Sequence, residues 1–258
     1  MKWVHISRPR FWLMTAIPYS VGVVAGDGSI LSLYVLLHIL LFLIPVNIFT
    51  YALNDYFDKE TDWHNPVKRD SLHADAQLIG WSSLFCALGL FLQTSFASLL
   101  LYVLFFLILI AYNVSPIRLK SVPYLDVLCS FRFVLPGILG YFHVSSSFPS
   151  FLVIFSATLW FCSMYLLFSL RDIKPDTKAG VYTSAVLFGY THTLVITCFL
   201  LFIAGVAAFF ILPILSLFFL FYLLASLLLL FFQEYRSYFQ YLGYVNNILA
   251  FIVLIMLF

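Results

Sequence analysis

Apolar runs of membrane length alternate with polar links along nearly the whole chain, and this alternation predicts nine membrane-spanning helices. The runs are Phe11 to Ala25, Leu31 to about Asn54, Leu78 to Gln93, Phe96 to Tyr112, Leu125 to His143 and Phe151 to Leu170. Ser184 to Phe232 is too long for one crossing and divides best at Pro213, giving spans seven and eight, and Tyr241 to Phe258 is span nine. The first run could be a signal peptide. Its basic start, followed by Asp27 and Gly28 without a clear small-x-small cleavage site, reads instead as a retained span. No low-complexity or Pro/Gly-rich linker divides the chain, so residues 1–258 are expected to form one all-α polytopic membrane domain.

The charges orient these spans. Of 13 lysines and arginines, all but Arg132 lie in the N-terminal arm or in the links after spans two, four, six and eight. By the positive-inside rule the N-terminus and those four links face the cytoplasm, and an odd span count puts the C-terminus outside. A missed or extra helix would scatter the cations onto both faces, so the charge pattern also supports the count.

Composition agrees. The 258 residues are 64% hydrophobic and 9% charged, with a mean hydropathy of +1.05. A soluble domain of this length needs far more polar surface, so the lipid bilayer is the expected solvent and a prokaryotic cytoplasmic membrane the expected location. The net charge of +2 gives no reason to expect a nucleic-acid partner. Cys86, Cys129, Cys162 and Cys198 stand singly in apolar stretches, without disulfide or zinc spacing, and read as small packing residues. The six histidines show no ligand spacing either.

Against this background one polar stretch stands out: Asn54, Asp55, Tyr56, Phe57, Asp58, Lys59, Glu60, Thr61, Asp62, at the end of span two. Asn54, Asp58 and Asp62 fall at i, i+4 and i+8, so if the helix continues they form one row with about 6 Å of rise between neighbours. A shorter copy, Asp172 and Asp176, follows span six, and the two could face each other. Both motifs would lie at helix C-termini, where the macrodipole disfavours carboxylates by about 0.3–1 kcal/mol each. Bound cations would reverse that sign. Mg²⁺ takes carboxylate oxygens and is commonly shared with substrate phosphates, so the pattern points to a diphosphate. The alternative is a solvated face on which these acids pair with nearby lysines and arginines.

An N-x-x-x-D-x-x-x-D motif with a later D-x-x-x-D, both at membrane-helix ends, resembles the UbiA-type intramembrane prenyltransferases, and the resemblance covers nearly the whole chain. Tyr112 with Ser115-Pro116 and Arg118-Leu119-Lys120 resembles the family's basic loop, and Asp176 to Thr183 its D-x-K-A-G-x-x-T run. The resemblance implies nine helices around a central cavity, capped by cytoplasmic loops. It implies Mg²⁺ on Asn54, Asp58 and Asp62 and a second Mg²⁺ on Asp172 and Asp176. Arg118, Lys120, Lys178 and Arg69 would clamp the isoprenyl diphosphate; the family usually has an R-P pair where this chain has Arg69-Asp70. Aromatic π faces would shield the allylic cation left by ionisation, with Tyr56 and Tyr112 favoured by motif position. Asp55 belongs to the same acidic stretch.

Span five carries Asp126 and Arg132. An arginine at a span centre costs about 2.5–3.5 kcal/mol, so Arg132 is expected to face the bundle or a watery cavity, or to pair with Asp126. The acceptor is expected to be lipophilic. Ser7 to Leu13, with Pro18 and Gly22, is similar to the opening of the lycopene elongase branch, which implies a carotenoid acceptor over an aromatic quinone precursor. A transporter is the rival class, but its acids belong near the bilayer midplane. The D-x-x-D-G-x-x-A-R pattern of CDP-alcohol phosphotransferases is not found, and soluble terpene synthases lack this hydropathy.

Overall fold

The computed structural model describes Arg8, residues 11–59 and 76–232, and Val245, Asn246, Ile248, Leu249 and Ile252. Among these residues all regular structure is helical. In chain order the helices are α1 (Leu13–Ala25), α2 (Leu33–Leu43), α3 (Pro45–Phe57), α4 (Ala76–Leu88), α5 (Phe96–Asn113), α6 (Leu125–Leu128), α7 (Leu135–Ser145), α8 (Phe151–Ser169), α9 (Ile173–Lys178), α10 (Ser184–Ile211) and α11 (Leu215–Phe231). A 3₁₀ turn at Gly89–Leu92 extends α4, and another at Cys129–Phe133 joins α6 to α7.

Among the described residues five helical segments are long and apolar enough to cross a membrane: Leu33–Phe57, Phe96–Asn113, Leu125–Ser145, Phe151–Ser169 and Ser184–Ile211. The shorter apolar helices Leu13–Ala25, Ala76–Leu92 and Leu215–Phe231 stand where spans one, three and eight are expected. Span nine falls largely outside the described residues. Phe91, Phe96, Phe151 and Phe210 leave 87, 74, 77 and 73% of their surface exposed, which suits lipid and would be costly in water.

The chain divides into two compact units that interleave along the sequence, which is why no linker marks a boundary. Unit one comprises Met1–Arg118, Leu135–Pro149 and Ala250–Phe258; unit two comprises Leu119–Val134 and Ser150–Leu249.

In unit one, α1 crosses α7 backbone to backbone. A Cβ placed on Gly22 would run into the Gly137 carbonyl, and one on Gly140 into the Tyr19 carbonyl, so the glycines permit an approach no larger residue allows. Span two is not a single straight helix, because Pro45 breaks it at Ile44. The carbonyls around the break are met by side chains: Asn47 Nδ2 lies 2.9 and 3.1 Å from the Phe42 and Leu43 oxygens and 2.8 Å from that of Trp12, and Thr15 donates to Phe42 at 3.0 Å. An apolar groove of about 440 Å³ opens beside the bend, lined by Leu40, Ile44, Pro45, Ile48, Trp81 and Phe85.

Toward the opposite end from the acidic stretch, unit one gathers two histidines that sequence spacing does not connect. The Tyr19 hydroxyl lies 3.0 Å from His143 Nδ1, His143 Nε2 lies 3.2 Å from Gln93 Oε1, and Gln93 Nε2 lies 3.4 Å from His38 Nε2. His38 Nδ1 faces the Tyr34 carbonyl at 3.0 Å. A carbonyl only accepts, so each imidazole donates to one and accepts on its other nitrogen. Every ring nitrogen is satisfied with both rings neutral, and the chain ties α1, α2, α7 and the turn after α4 together.

Unit two is built on α8, α10 and α11, with Met164, Leu167, Leu194, Leu201, Phe219 and Tyr222 in its core. Cys86 of unit one and Cys129 and Cys162 of unit two are buried, as expected of packing residues.

Candidate active site

The acidic stretch of span two does not continue as one helix. α3 ends at Phe57 and Asp58 is its C-cap, with φ −97° and ψ 2°, so Asn54 and Asp58 face one another at a helix end. The Asn54 amide donates to Asp58 Oδ2 at 2.9 Å and to Asn113 Oδ1 at 3.2 Å. Arg118 Nη2 donates to Asp58 Oδ1 at 2.9 Å. Asp62 and Arg69 lie outside the described residues.

α5 delivers this second side of the cluster. A reciprocal cap between Ser95 and Ser98 starts it, and it ends at Asn113 because Val114 is extended and Pro116 cannot continue a helix. Asn113 is 1% exposed and fixed by its own bond to the Leu109 carbonyl at 3.0 Å. Arg118 then turns back at φ 37°, a left-handed conformation that residues with side chains usually avoid, held by its N–H on the Val114 carbonyl at 2.8 Å.

Asp55 faces a different partner. It is 3% exposed and forms an ion pair with Arg8, whose guanidinium also lies 5.1 Å from the centre of the Tyr51 ring. The N-terminal arm thus meets α3 directly, and Phe11 stacks on Tyr51 with ring centres 5.8 Å apart. The sequence analysis gives Asn113 no role, and Arg8 enters it only as part of the Ser7 to Leu13 stretch. The signal for each is a polar residue beside a membrane-length run.

The second motif also departs from expectation. α8 stops at Ser169, and Asp172 is the N-cap of the separate helix α9, with Asp176 in its first turn. Asp172 thus begins a new short helix two residues beyond the C-cap of α8, with Asp176 one turn further on. Asp176 N–H bonds to the Asp172 carbonyl at 2.8 Å, which keeps the two on one helical face, and Arg171 Nε lies 3.7 Å from Asp172 Oδ2. The Ala-Gly pair that follows has a local cause. Gly180, at φ 68°, ends α9 in a Schellman turn, with Gly180 N–H on the Thr177 carbonyl and Val181 N–H on that of Asp176. Thr183 then caps α10.

Lys120 is buried and Lys178 exposed. Tyr112 is half-buried, whereas Tyr56 is 46% exposed and packs on Phe57, which weakens the case for Tyr56 as a shield of a buried cation. Asp126 and Arg132 do not pair as expected: Asp126 is held by Ser184, Tyr165 and Val127, while Arg132 donates to the Cys129 carbonyl at 2.8 Å and lies 4.4 Å from the centre of the Phe133 ring.

Oxygen chemistry of this kind suits Mg²⁺. Asp58 is a nearly buried carboxylate already compensated by an arginine, so the position draws positive charge. Asn54 uses its N–H groups on Asp58 and Asn113, which leaves its carbonyl oxygen for a cation. Among the described residues no group of three or more His, Cys, Asp or Glu gathers in one place.

The profile of the UbiA prenyltransferase family matches residues 15–255, and the chain belongs to that family. It is 33% identical over 199 residues to the lycopene elongase/hydratase of Haloarcula japonica, a match covering 74% of this chain and 68% of that protein. It is 35% identical over 198 residues to the lycopene elongase/hydratase of Haloferax volcanii, covering 73% and 65%. A UbiA homologue from Archaeoglobus fulgidus, solved with DMAPP and Mg²⁺, shares the fold with a TM-score of 0.69 at 20% identity, over 98% of this chain and 99% of that one. The protein is thus an integral membrane enzyme that transfers prenyl groups, near the lycopene elongase branch.

Proposed function

We propose that the enzyme transfers an isoprenyl group from an isoprenyl diphosphate to a carotenoid end such as that of lycopene. The observation that carries the site assignment is the Asn54, Asp58, Asn113 and Arg118 cluster, a carboxylate and a cation brought together at a membrane-helix end. The acceptor assignment rests on the lycopene elongase/hydratase relatives from two organisms.

Asn54 and Asp58, with Asp62, would hold one Mg²⁺, and Asp172 with Asp176 a second. Mg²⁺ held by these residues would neutralise the diphosphate and stabilise the departing pyrophosphate. Arg118, Lys120, Lys178 and Arg69 bind the diphosphate oxygens. The donor's C–O bond breaks, the electron pair leaves with pyrophosphate, and the acceptor's alkene attacks the allylic cation to form the new C–C bond. Loss of a proton, or capture of water followed by loss of its proton, discharges the resulting tertiary cation. The N-terminus and both acidic motifs face the cytoplasm, and the apolar acceptor enters from the lipid.

The test is expression in a lycopene-producing bacterium that makes dimethylallyl diphosphate. C45 and C50 carotenoids are expected. Unchanged lycopene, with 4-hydroxybenzoate prenylated by the same membranes, would replace the carotenoid acceptor by an aromatic one.

A further inference from the structure

The Asp126 side chain lies wholly inside unit two, between the loop that carries Lys120 and the first residue of α10. Its Oδ1 accepts from the Ser184 hydroxyl and from Val127 N–H at 2.9 Å; its Oδ2 accepts from Ser184 N–H at 2.7 Å and from the Tyr165 hydroxyl at 3.2 Å. Two carboxylate oxygens offer about four lone-pair positions, and all are filled. Every partner is an N–H or O–H group, and among the described residues no lysine or arginine side chain pairs with it.

Ser184 continues the connection. Its hydroxyl oxygen accepts from the backbone N–H of Tyr124 at 2.7 Å, and with a single proton to give it donates to Asp126. Tyr124 stands at φ 69°, a conformation that a tyrosine keeps only where its surroundings impose it. Asp126 also meets one of the N–H groups that the start of α10 leaves without an intrahelical partner, at the end where the helix dipole favours a negative charge. One buried carboxylate thereby ties two segments that the site reading uses: the basic loop from Lys120 to Tyr124, and the start of α10, which follows the Asp172 and Asp176 segment.

A buried polar group is costly, and packing alone would be served as well by an apolar residue. What a carboxylate adds is a fixed register between two loops. We propose that Asp126 is a positioning residue of the prenyl-transfer site: through Ser184 and Tyr124 it fixes the Lys120 loop on the start of α10, and so sets where Lys120 meets the donor diphosphate. This rests on the reading of Lys120 as a diphosphate ligand.

The experiment is steady-state transfer by membranes carrying the intact chain, comparing Lys120→Ala, Asp126→Asn and the double variant. Asp126→Asn keeps the size but turns an amide N–H₂ toward groups that donate. Each single variant is expected to raise the donor KM about tenfold with little change in kcat, and the double variant to raise it no further than the larger single effect. Additive effects, or an unchanged KM in Asp126→Asn, overturn the positioning role. Where Asp126→Asn fails to accumulate, Tyr165→Phe removes one of the four donors and is expected to raise KM about two- to threefold; no change there overturns the proposal equally. An unchanged KM in Lys120→Ala removes that residue from the diphosphate, and this inference with it. A raised KM in Lys120→Ala beside an unchanged one in Asp126→Asn overturns the positioning role alone.

Discussion

Arg118 places Nη2 2.9 Å from Asp58 Oδ1, joining the loop after α5 to the C-cap of α3 across 60 residues of sequence. If Asp58 holds Mg²⁺ as proposed, this guanidinium can pass to the diphosphate when the substrate brings its own negative charge. Arg118→Ala is expected to raise the donor KM about tenfold or more, and Arg118→Lys to recover only part of it, because an ammonium cannot reproduce the guanidinium's planar fork. Initial rates against donor concentration check this, and an unchanged KM would remove Arg118 from substrate binding.

At the Pro45 break in span two, the Asn47 amide meets the Phe42 and Leu43 carbonyls. Asn47→Ala takes away the donor shared by the Phe42 and Leu43 carbonyls and is expected to cost about 1–2 kcal/mol. Thr50→Ala removes one bond to the Val46 carbonyl within its own helix and serves as the mild comparison. Thermal unfolding in detergent reads both; equal effects would mean that Asn47 does not hold the break.

The crossing of α1 on α7 makes a steric prediction. Gly22→Val has no room against the Gly137 carbonyl and is expected to cost about 1–3 kcal/mol. A Cβ on Gly80 in α4 meets nothing within 4 Å, so Gly80→Ala is expected to be neutral or to stabilise by up to about 1 kcal/mol. The same unfolding assay separates them.

Most span boundaries were legible because hydropathy and helix length are local properties: α5, α8, and the pair α10 and α11 divided near Pro213 lie within a few residues of their expected limits. What the sequence could not supply were pairings made across the fold. Asp126 has Arg132 six residues away and yet is bound by Ser184, 58 residues on. Asp55 is met by Arg8 and Asn54 by Asn113, and nothing in local spacing connects either pair. The second acidic motif follows the end of span six as its spacing predicts, and what local spacing does not show is that Asp172 also begins a new short helix.

Orientation is checked independently of activity. Reporters fused after Asp70, Lys120 and Lys178 are expected to read cytoplasmic, and one fused after Phe258 external. A cytoplasmic signal after Phe258 would contradict the nine-span count.

The most direct measurement uses purified protein in liposomes loaded with lycopene, labelled dimethylallyl diphosphate and Mg²⁺, comparing the native chain with Asp58→Asn. Label is expected in C45 and C50 carotenoids with the native chain, to stop with EDTA, and to fall at least about a hundredfold in Asp58→Asn while the variant unfolds at nearly the native temperature. Label reaching carotenoid equally well in Asp58→Asn, or in the presence of EDTA, would contradict a metal-bound diphosphate at this carboxylate.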